Sequence, residues 1–372
     1  MTKSPSKTVA QKTKTQPDSE RDGFFEGPDP VNWIHIVGTG QSLRLPDKRA
    51  FKLGSSSKND IVIKREYISR HHCTLTRTYD GLLVEDTSKN GTWVDHRATS
   101  NAPREIRPGE TFVVDTITFL ALNDAMYAAF PTLNEILDWE TGDPFPPSES
   151  DWPSPSAVTM WGAGHQHLLI VAMRGCGQER LLETIHAISP MRGKAPIVVE
   201  DIPADRAEQR DLLLRAQKTS MLLAITDDTK PFDSMFSSML FSPSYRIRVL
   251  ARAPSIECAQ RVLGRECAAM RRIDLRPLAF RIDQLPRLLD RQFERLETTL
   301  RFDQIAPENQ AALMANEWRR NLDEVVLAAP KLVAVATSGS LRKAAPALGI
   351  KNYNNLQSWY SNTMKLKLPL TK

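Results

Sequence analysis

The sequence predicts a multidomain α+β chain: an N-terminal all-β sandwich, a central α/β unit and a C-terminal helix-turn-helix. Three observations carry that prediction. Short apolar or alternating runs recur between Trp33 and Leu122, separated by turn signals. After a break rich in Pro, Ser and acid at 140–156, longer apolar runs alternate with amphipathic stretches. Near the end, Ala-Leu-Gly-Ile at 347–350 forms a sharp turn between two helical periods. At 372 residues the chain exceeds the size at which one core stops growing, so two or three domains are expected. The boundaries read as a disordered tail over 1–28, the sandwich over 29–138 and a linker over 139–160. The α/β domain follows over 161–300, a helical lid-like subdomain over 301–332 and the helix-turn-helix over 333–372.

An apolar content of 41% suffices for such cores. The longest apolar run, LLIVAM at 168–173, falls far short of the roughly 20 residues a membrane helix needs, so no membrane partner is expected. The first residues are polar, with Lys3, Lys7, Lys12 and Lys14 and no apolar stretch of a secretory signal, which points to a cytoplasmic protein. Cys73, Cys176, Cys258 and Cys267 form no CxxC pair and have no histidine spacing for a metal, so they read as buried free thiols, with no metal or cofactor. The net charge of +5 is unevenly spread. From Leu341 onward stand Arg342, Lys343, Lys351, Lys365, Lys367 and Lys372 with no carboxylate, as expected of an end that faces phosphates.

In the first block, runs such as WIHIV, AFKLG, CTLTRT, LLVED and TITFLAL are punctuated by SKND, YDG, SKNG and RPGE, the spacing of a sandwich. Two loops carry unusual chemistry, YISRHHCTL and EDTSKNGTWVD. With LGSSSKNDIVI they resemble the forkhead-associated (FHA) phosphopeptide-binding domain, whose pattern runs LGR, NDI, SRxH and DxSxNGTxVN. The likeness spans about ninety residues. It implies that Ser69 and Arg70 face the ligand phosphate, that Asn90 holds the peptide backbone, and that His72 and Gly91 brace the loops. Ser55 stands where the family has a phosphate-gripping arginine. Losing one charge-assisted bond of about 1.5–3 kcal/mol weakens binding about 10- to 100-fold, with Lys58, Arg70 and Lys89 left to compensate. The expected ligand is a phosphothreonine-containing protein, or else an unphosphorylated protein surface. Thr15 to Asp18, TQPD, has the threonine-x-x-aspartate form that such domains favour, so the chain's own N-terminal tail is a second candidate ligand; a merely solvated tail is the alternative.

In the central block, HLLIVAM, APIVVED, SMLLAI and YRIRVLA read as strands of a largely parallel sheet, with QERLLETIHAI and AEQRDLLLRAQ as helices. The order resembles the ATPase module of the NtrC-like, enhancer-binding branch of the AAA+ family. That family's LITGESGTGKELVARAIH aligns without gaps on 169–186, LRPLAFRIDQLPRLLDRQF (275–293) resembles its LPPLRERREDIPLLAEHF, and WRRNLDEVVLAA (318–329) resembles its WPGNVRELENVL. By this likeness Gly175 and Gly177 remain from the phosphate loop, but Gln178 replaces its lysine and Ala172 its first glycine. The magnesium-binding Asp-Glu falls on Ile225 and Thr226, although Asp227 and Asp228 leave a shifted alignment open. The second sensor arginine falls on Asp323, and the segment bearing the sigma-contacting loop is missing. Phosphoryl transfer depends on positioned cations and metal, so Gly175, Gly177 and Gln178 are expected to form a degenerate nucleotide site, and the chain to be no enzyme. Weak nucleotide binding without hydrolysis is the alternative. Thirteen arginines against seven carboxylates lie between Arg246 and Arg301, as a subunit or nucleic-acid interface or as a solvated, ion-paired helix face.

Residues 338–367, SGSLRKAAPALGIKNYNNLQSWYSNTMKLK, carry apolar positions at Leu341, Ala344, Ala345, Leu348, Ile350, Leu356 and Trp359. They resemble the Fis-type element that ends the same activator family, RAAELLGISRRTLYRKL, although Pro346 falls inside the first helix and Ser358 and Trp359 replace an Arg-Lys pair. The recognition helix would begin near Asn352. It would present Asn354, Asn355, Gln357 and Ser358 to adenine edges, with Lys351, Lys365 and Lys367 on phosphates. The expected partner is double-stranded DNA; a helical dimerisation cap is the alternative. Together these readings predict a non-enzymatic bacterial transcription regulator, homo-oligomeric, or else a phosphoprotein adaptor that never touches DNA.

Overall fold

The computed structural model describes residues 30–39, 41–94, 97–99, 102–137 and 154–371. The Thr15–Asp18 segment and most of the expected linker therefore lie outside the described residues. Eleven short strands open the described chain: β1 (Trp33–Ile36), β2 (Gln41–Arg44), β3 (Ala50–Gly54), β4 (Ile61–Val62), β5 (Cys73–Arg77), β6 (Leu82–Asp86), β7 (Thr92–Val94), β8 (Arg97–Ala98), β9 (Arg104–Ile106), β10 (Thr111–Val114) and β11 (Ile117–Leu122). They form two sheets, ordered β2-β1-β11-β10-β7-β8 and β4-β3-β5-β6-β9, with β3 and β4 parallel. Period-two burial of Cys73 and Leu75, Leu82 and Val84, and Phe112 and Val114 places one face of each sheet in a common core.

Strand β11 departs from that alternation, since Phe119, Leu120, Ala121 and Leu122 are all buried. The cause is helix α1 (Asp124–Leu137), which lies wholly within the 29–138 span expected to be sandwich. Asn123 caps it, its Oδ1 accepting the Met126 N–H at 2.8 Å. Met126, Phe130, Leu133 and Ile136 form a stripe at helical spacing that packs with Leu120 and Leu122 into the core of the next domain. Pro131 inside the helix obscured the period. Trp33 fixes the junction, stacking on Tyr127 at 3.6 Å and donating Nε1–H to Asp124 at 2.8 Å.

Helix α2 (Pro155–Ala163) crosses the expected boundary at 160/161 between linker and α/β domain, capped by Ser154 Oγ on the Ala157 N–H at 3.1 Å. Then come β12 (Leu168–Ala172), α3 (Gln178–Ala187), β13 (Ile197–Val199), α4 (Arg206–Arg215), β14 (Ser220–Ala224), α5 (Ser234–Leu240), β15 (Arg248–Ala253), α6 (Ile256–Leu263) and β16 (Arg271–Leu275). The five strands are parallel in the order β13-β14-β15-β12-β16, so the first strand lies inside the sheet and the loop after it opens at a crossover point. The exposed arginines of β16 had hidden that fifth strand from its apolar pattern.

The arginine-rich stretch mostly ties the fold together. Arg248 is fully buried, has no carboxylate partner among the described residues, and donates to the carbonyls of Trp161, Gly162 and Gln166 at 2.7–3.0 Å. It stands at the C-terminus of α2, where a cation is favoured, although burial pushes its pKa down to about 9. Arg261 likewise donates to the carbonyls of Thr226, Asp227 and Thr229.

The remaining helices are α7 (Leu285–Arg295), α8 (Pro307–Met314), α9 (Asn321–Ser338), α10 (Leu341–Ala347) and α11 (Tyr353–Gln357), the last continuing as a wide π turn over Ser358–Thr363. One core runs from Leu278 to Leu370, and the expected boundary at 332/333 falls inside α9. The final residues return to this core: Ala306 N–H donates to Leu370 O at 2.8 Å, and Asn309 holds Lys367 through both amide atoms. Among the described residues no helix is long and apolar enough to cross a membrane.

Candidate functional site

Three loops converge at one end of the sandwich: the end of β3, residues 63–72 and residues 87–91. Gly54 is required at the first, because a Cβ there would lie 2.4 Å from Arg70 O and 2.8 Å from Ser69 O. Asn59 locks the same approach, donating Nδ2–H to Arg70 O at 2.5 Å while its Oδ1 meets His71 Nδ1 at 2.6 Å. His72 is wholly buried. Its Nδ1 accepts the Ser69 N–H at 3.1 Å, so the ring proton sits on Nε2, which donates to Gly91 O at 3.1 Å. The imidazole thus spaces the second loop from the third. Gly91 turns at φ +94°, against the Trp93 ring.

On this frame the Ser69 hydroxyl accepts the Lys89 N–H at 3.2 Å, which leaves its own proton to donate outward. Arg70, Lys89 and Lys58 are exposed, and among the described residues no carboxylate pairs with them. Asn90 is exposed and donates Nδ2–H to Tyr67 O at 2.8 Å. Ser55 was expected among the phosphopeptide-binding residues, but its polar groups turn to the loop. It is half-buried, its N–H donates to Ser69 O at 3.0 Å and its hydroxyl to Ile68 O at 2.9 Å. With its only hydroxyl proton committed to the loop, Ser55 braces the site and has no donor left for a ligand.

The glycine turn after β12 lies in a cavity of about 670 Å³. Gly175 and Gly177 have φ of +81° and +89°, and each admits a close neighbour. A Cβ on Gly175 would stand 2.1 Å from Arg320 O, and one on Gly177 would stand 3.3 Å from Ile136. The Gly175 carbonyl accepts the Leu322 N–H at 2.9 Å, and Asn321 donates Nδ2–H to Arg174 O at 2.9 Å. The turn is therefore pinched between the start of α9 and the end of α1.

The cavity walls carry both signs of charge. Gln178 is buried, and its Oε1 has no hydrogen-bond partner among the described residues. Arg180 is paired with Glu135 and Arg252 with Glu179, both at 2.9 Å. The remaining charged lining residues are Arg174, Asp227 and Asp323. Among the described residues no group of three or more His, Cys, Asp and Glu is placed to hold a metal ion. Glu135 also takes Gln292 at 3.3 Å and both guanidinium nitrogens of Arg295. Burial raises this carboxyl, but the Arg295 hydrogen bond and the Arg180 and Arg295 charges outweigh it and hold the pKa below the usual value.

At the C-terminal end, Leu356, Tyr360 and Met364 are buried and orient the last helix. Lys351, Asn354, Asn355, Gln357, Ser358 and Lys365 are all exposed on one contiguous stretch. Gly349 makes the turn between α10 and α11 at φ +68°.

Residues 51–114 match the FHA domain. Among solved structures, the FHA domain of a Chlamydia trachomatis protein is 24% identical over 24% of this chain and 95% of its own, with a TM-score of 0.23. EmbR from Mycobacterium tuberculosis, in complex with a low-affinity phosphopeptide, is 24% identical over 24% of each chain, also with a TM-score of 0.23. NtrX from Brucella abortus, in complex with ADP, is 16% identical over 48% of each chain, with a TM-score of 0.37. These matches take in about a quarter of EmbR and under half of NtrX. No curated protein matched.

Within the FHA domain, the structure gathers Ser69, Arg70, Lys89 and Asn90 on one face and turns Ser55 inward. Sequence reasoning missed Asn59 and the exposed Tyr67, which set the loop that carries Ser69 and Arg70. The only available signal for Asn59 was its place in the NDI motif.

Proposed function

We propose that this chain is a non-enzymatic bacterial transcription regulator. Its FHA face binds a phosphothreonine-containing protein, or its own tail phosphorylated at Thr15. Its C-terminal helices bind double-stranded DNA, and the central unit is a scaffold for self-association. The observation that carries the reading is the Ser69 hydroxyl, held by the Lys89 N–H among three exposed cations with no carboxylate partner among the described residues. A phosphate takes charge-assisted hydrogen bonds from such a set, whereas an unmodified threonine gains little from it. The pinched glycine turn and the paired arginines support a scaffold role for the centre. The test is fluorescence polarisation of the full chain with matched threonine and phosphothreonine peptides. Preference for the phosphopeptide, reduced about 10- to 100-fold by Arg70→Ala, is expected. Equal binding of the two peptides overturns phosphate recognition. One observation favours the adaptor reading: the last residues are bound back onto the Ile305–Asn309 segment, as a cap would be. Retention of phosphopeptide without any duplex would select it.

A further inference from the structure

We infer that the 353–363 helix reads adenine–thymine pairs in the major groove, so that the duplex this chain selects is A·T-rich at the contacted positions. The inference rests on the DNA reading proposed above. Its sequence, YNNLQSWYSNT, holds no Lys, Arg, Asp or Glu. Burial of Leu356 and Tyr360 turns Asn354, Asn355, Gln357, Ser358, Ser361 and Asn362 outward as a neutral face of amides and hydroxyls. Asn352 is spent on capping, its Oδ1 accepting the Asn354 N–H at 3.0 Å, and Asn362 Nδ2 lies 3.4 Å from Ser358 Oγ. The side-chain amides of Asn354, Asn355 and Gln357 have no partner among the described residues.

A carboxamide offers one donor and one acceptor in a plane, which matches the N7 acceptor and N6 donor of adenine. Guanine presents two acceptors, O6 and N7, and is read by guanidinium or ammonium groups, which this helix lacks. The exposed cations stand at its two ends, with Lys351 before it and Lys365 and Lys367 after it. Arg342 and Lys331 are drawn over the Tyr353 and Trp359 rings at 5.4 and 4.5 Å. Charge at the periphery and neutral amides at the centre fit phosphates outside and base edges within.

The test measures binding of the full chain, by anisotropy, to A·T-rich and G·C-rich duplexes of equal length at two salt concentrations. About 5- to 150-fold tighter binding of the A·T duplex per pair read is expected. Replacing adenine by 7-deazaadenine, which lacks N7, should bring affinity down towards the G·C level. Asn354→Ala with Asn355→Ala should abolish the preference with the salt slope unchanged, while Lys365→Ala should weaken both duplexes alike and reduce that slope by about one. Equal affinity for the two duplexes overturns the inference and leaves DNA binding standing. A preference that survives 7-deazaadenine also overturns it, since shape would then be the signal. Failure to hold either duplex at low salt removes the DNA reading itself, and this inference with it.

Discussion

Leu322 donates its backbone N–H to the carbonyl of Gly175 at 2.9 Å, which fastens the first turn of α9 to the glycine turn after β12. Gly175→Ala would place a methyl 2.1 Å from Arg320 O in a left-handed backbone conformation. Left-handed strain alone is worth about 1–3 kcal/mol, and here the clash is with backbone. A loss of at least about 2 kcal/mol on chemical denaturation is expected, whereas Gly193→Ala, with open space around its Cβ, should change stability by less than about 0.5 kcal/mol.

Gln178→Lys restores the residue that a phosphate loop uses, but not the loop's freedom. The turn stays pinched by Arg320 and Ile136, and Asp323 remains in the cavity wall. No ATP hydrolysis above background is expected from this variant in a phosphate-release assay. The buried ammonium, without a phosphate partner, should instead lower the melting temperature.

Glu135 joins α1 to α3 through Arg180 and to α7 through Arg295. Glu135→Gln should cost about 2 kcal/mol, less than a wholly buried pair, because both arginines are nearly half exposed and can return to water. Since the native pKa of this carboxyl is lowered, its contribution is present above the unfolded carboxylate value and is lost as pH falls through the folded one. Urea midpoints below pH 4.5 should therefore fall more steeply for the native chain than for the variant.

His35 titrates in a separate window. Burial pushes it down from 6.5 to about 4, where it packs against Phe130 and meets Ser42 Oγ at 3.0 Å. Between those values the unfolded chain binds a proton that the folded chain does not. Stability is full above about pH 6.5 and falls towards pH 4, by up to about 1.4 kcal/mol per pH unit from this residue. His167, also at about 4 through burial, adds a parallel share. His35→Gln should remove one share of the slope between pH 6.5 and 4, as read from urea midpoints across that range.

The sandwich was legible because a two-residue period, Asn-Gly and other turn signals, and the SRHH and DTSKNGTWVD motifs agree with one another. Four of the five central strands were legible as apolar runs, whereas β16 was not, its first two residues being exposed arginines. Helix α1 escaped because Pro131 interrupts its pattern, and because an amphipathic stripe does not say which core will receive it. At the candidate site, Ser69, Arg70 and Asn90 could be named from the motif, and Lys89 only as a cation beside it. That Ser55 spends its proton on Ile68 could not, since its partner lies thirteen residues away across a folded loop.

Local choices are written along the chain: most of the strands and helices, the glycine turns, and the cations without carboxylates nearby in sequence. What those turns and charges meet was set by folding. Gly175 faces the backbone of α9, Arg248 faces three carbonyls, and the boundaries expected between the sandwich and the α/β unit, and within α9, give way to shared cores. The physical reason is that burial and pairing depend on groups far apart in sequence, and no local period records which of them close packing will bring together.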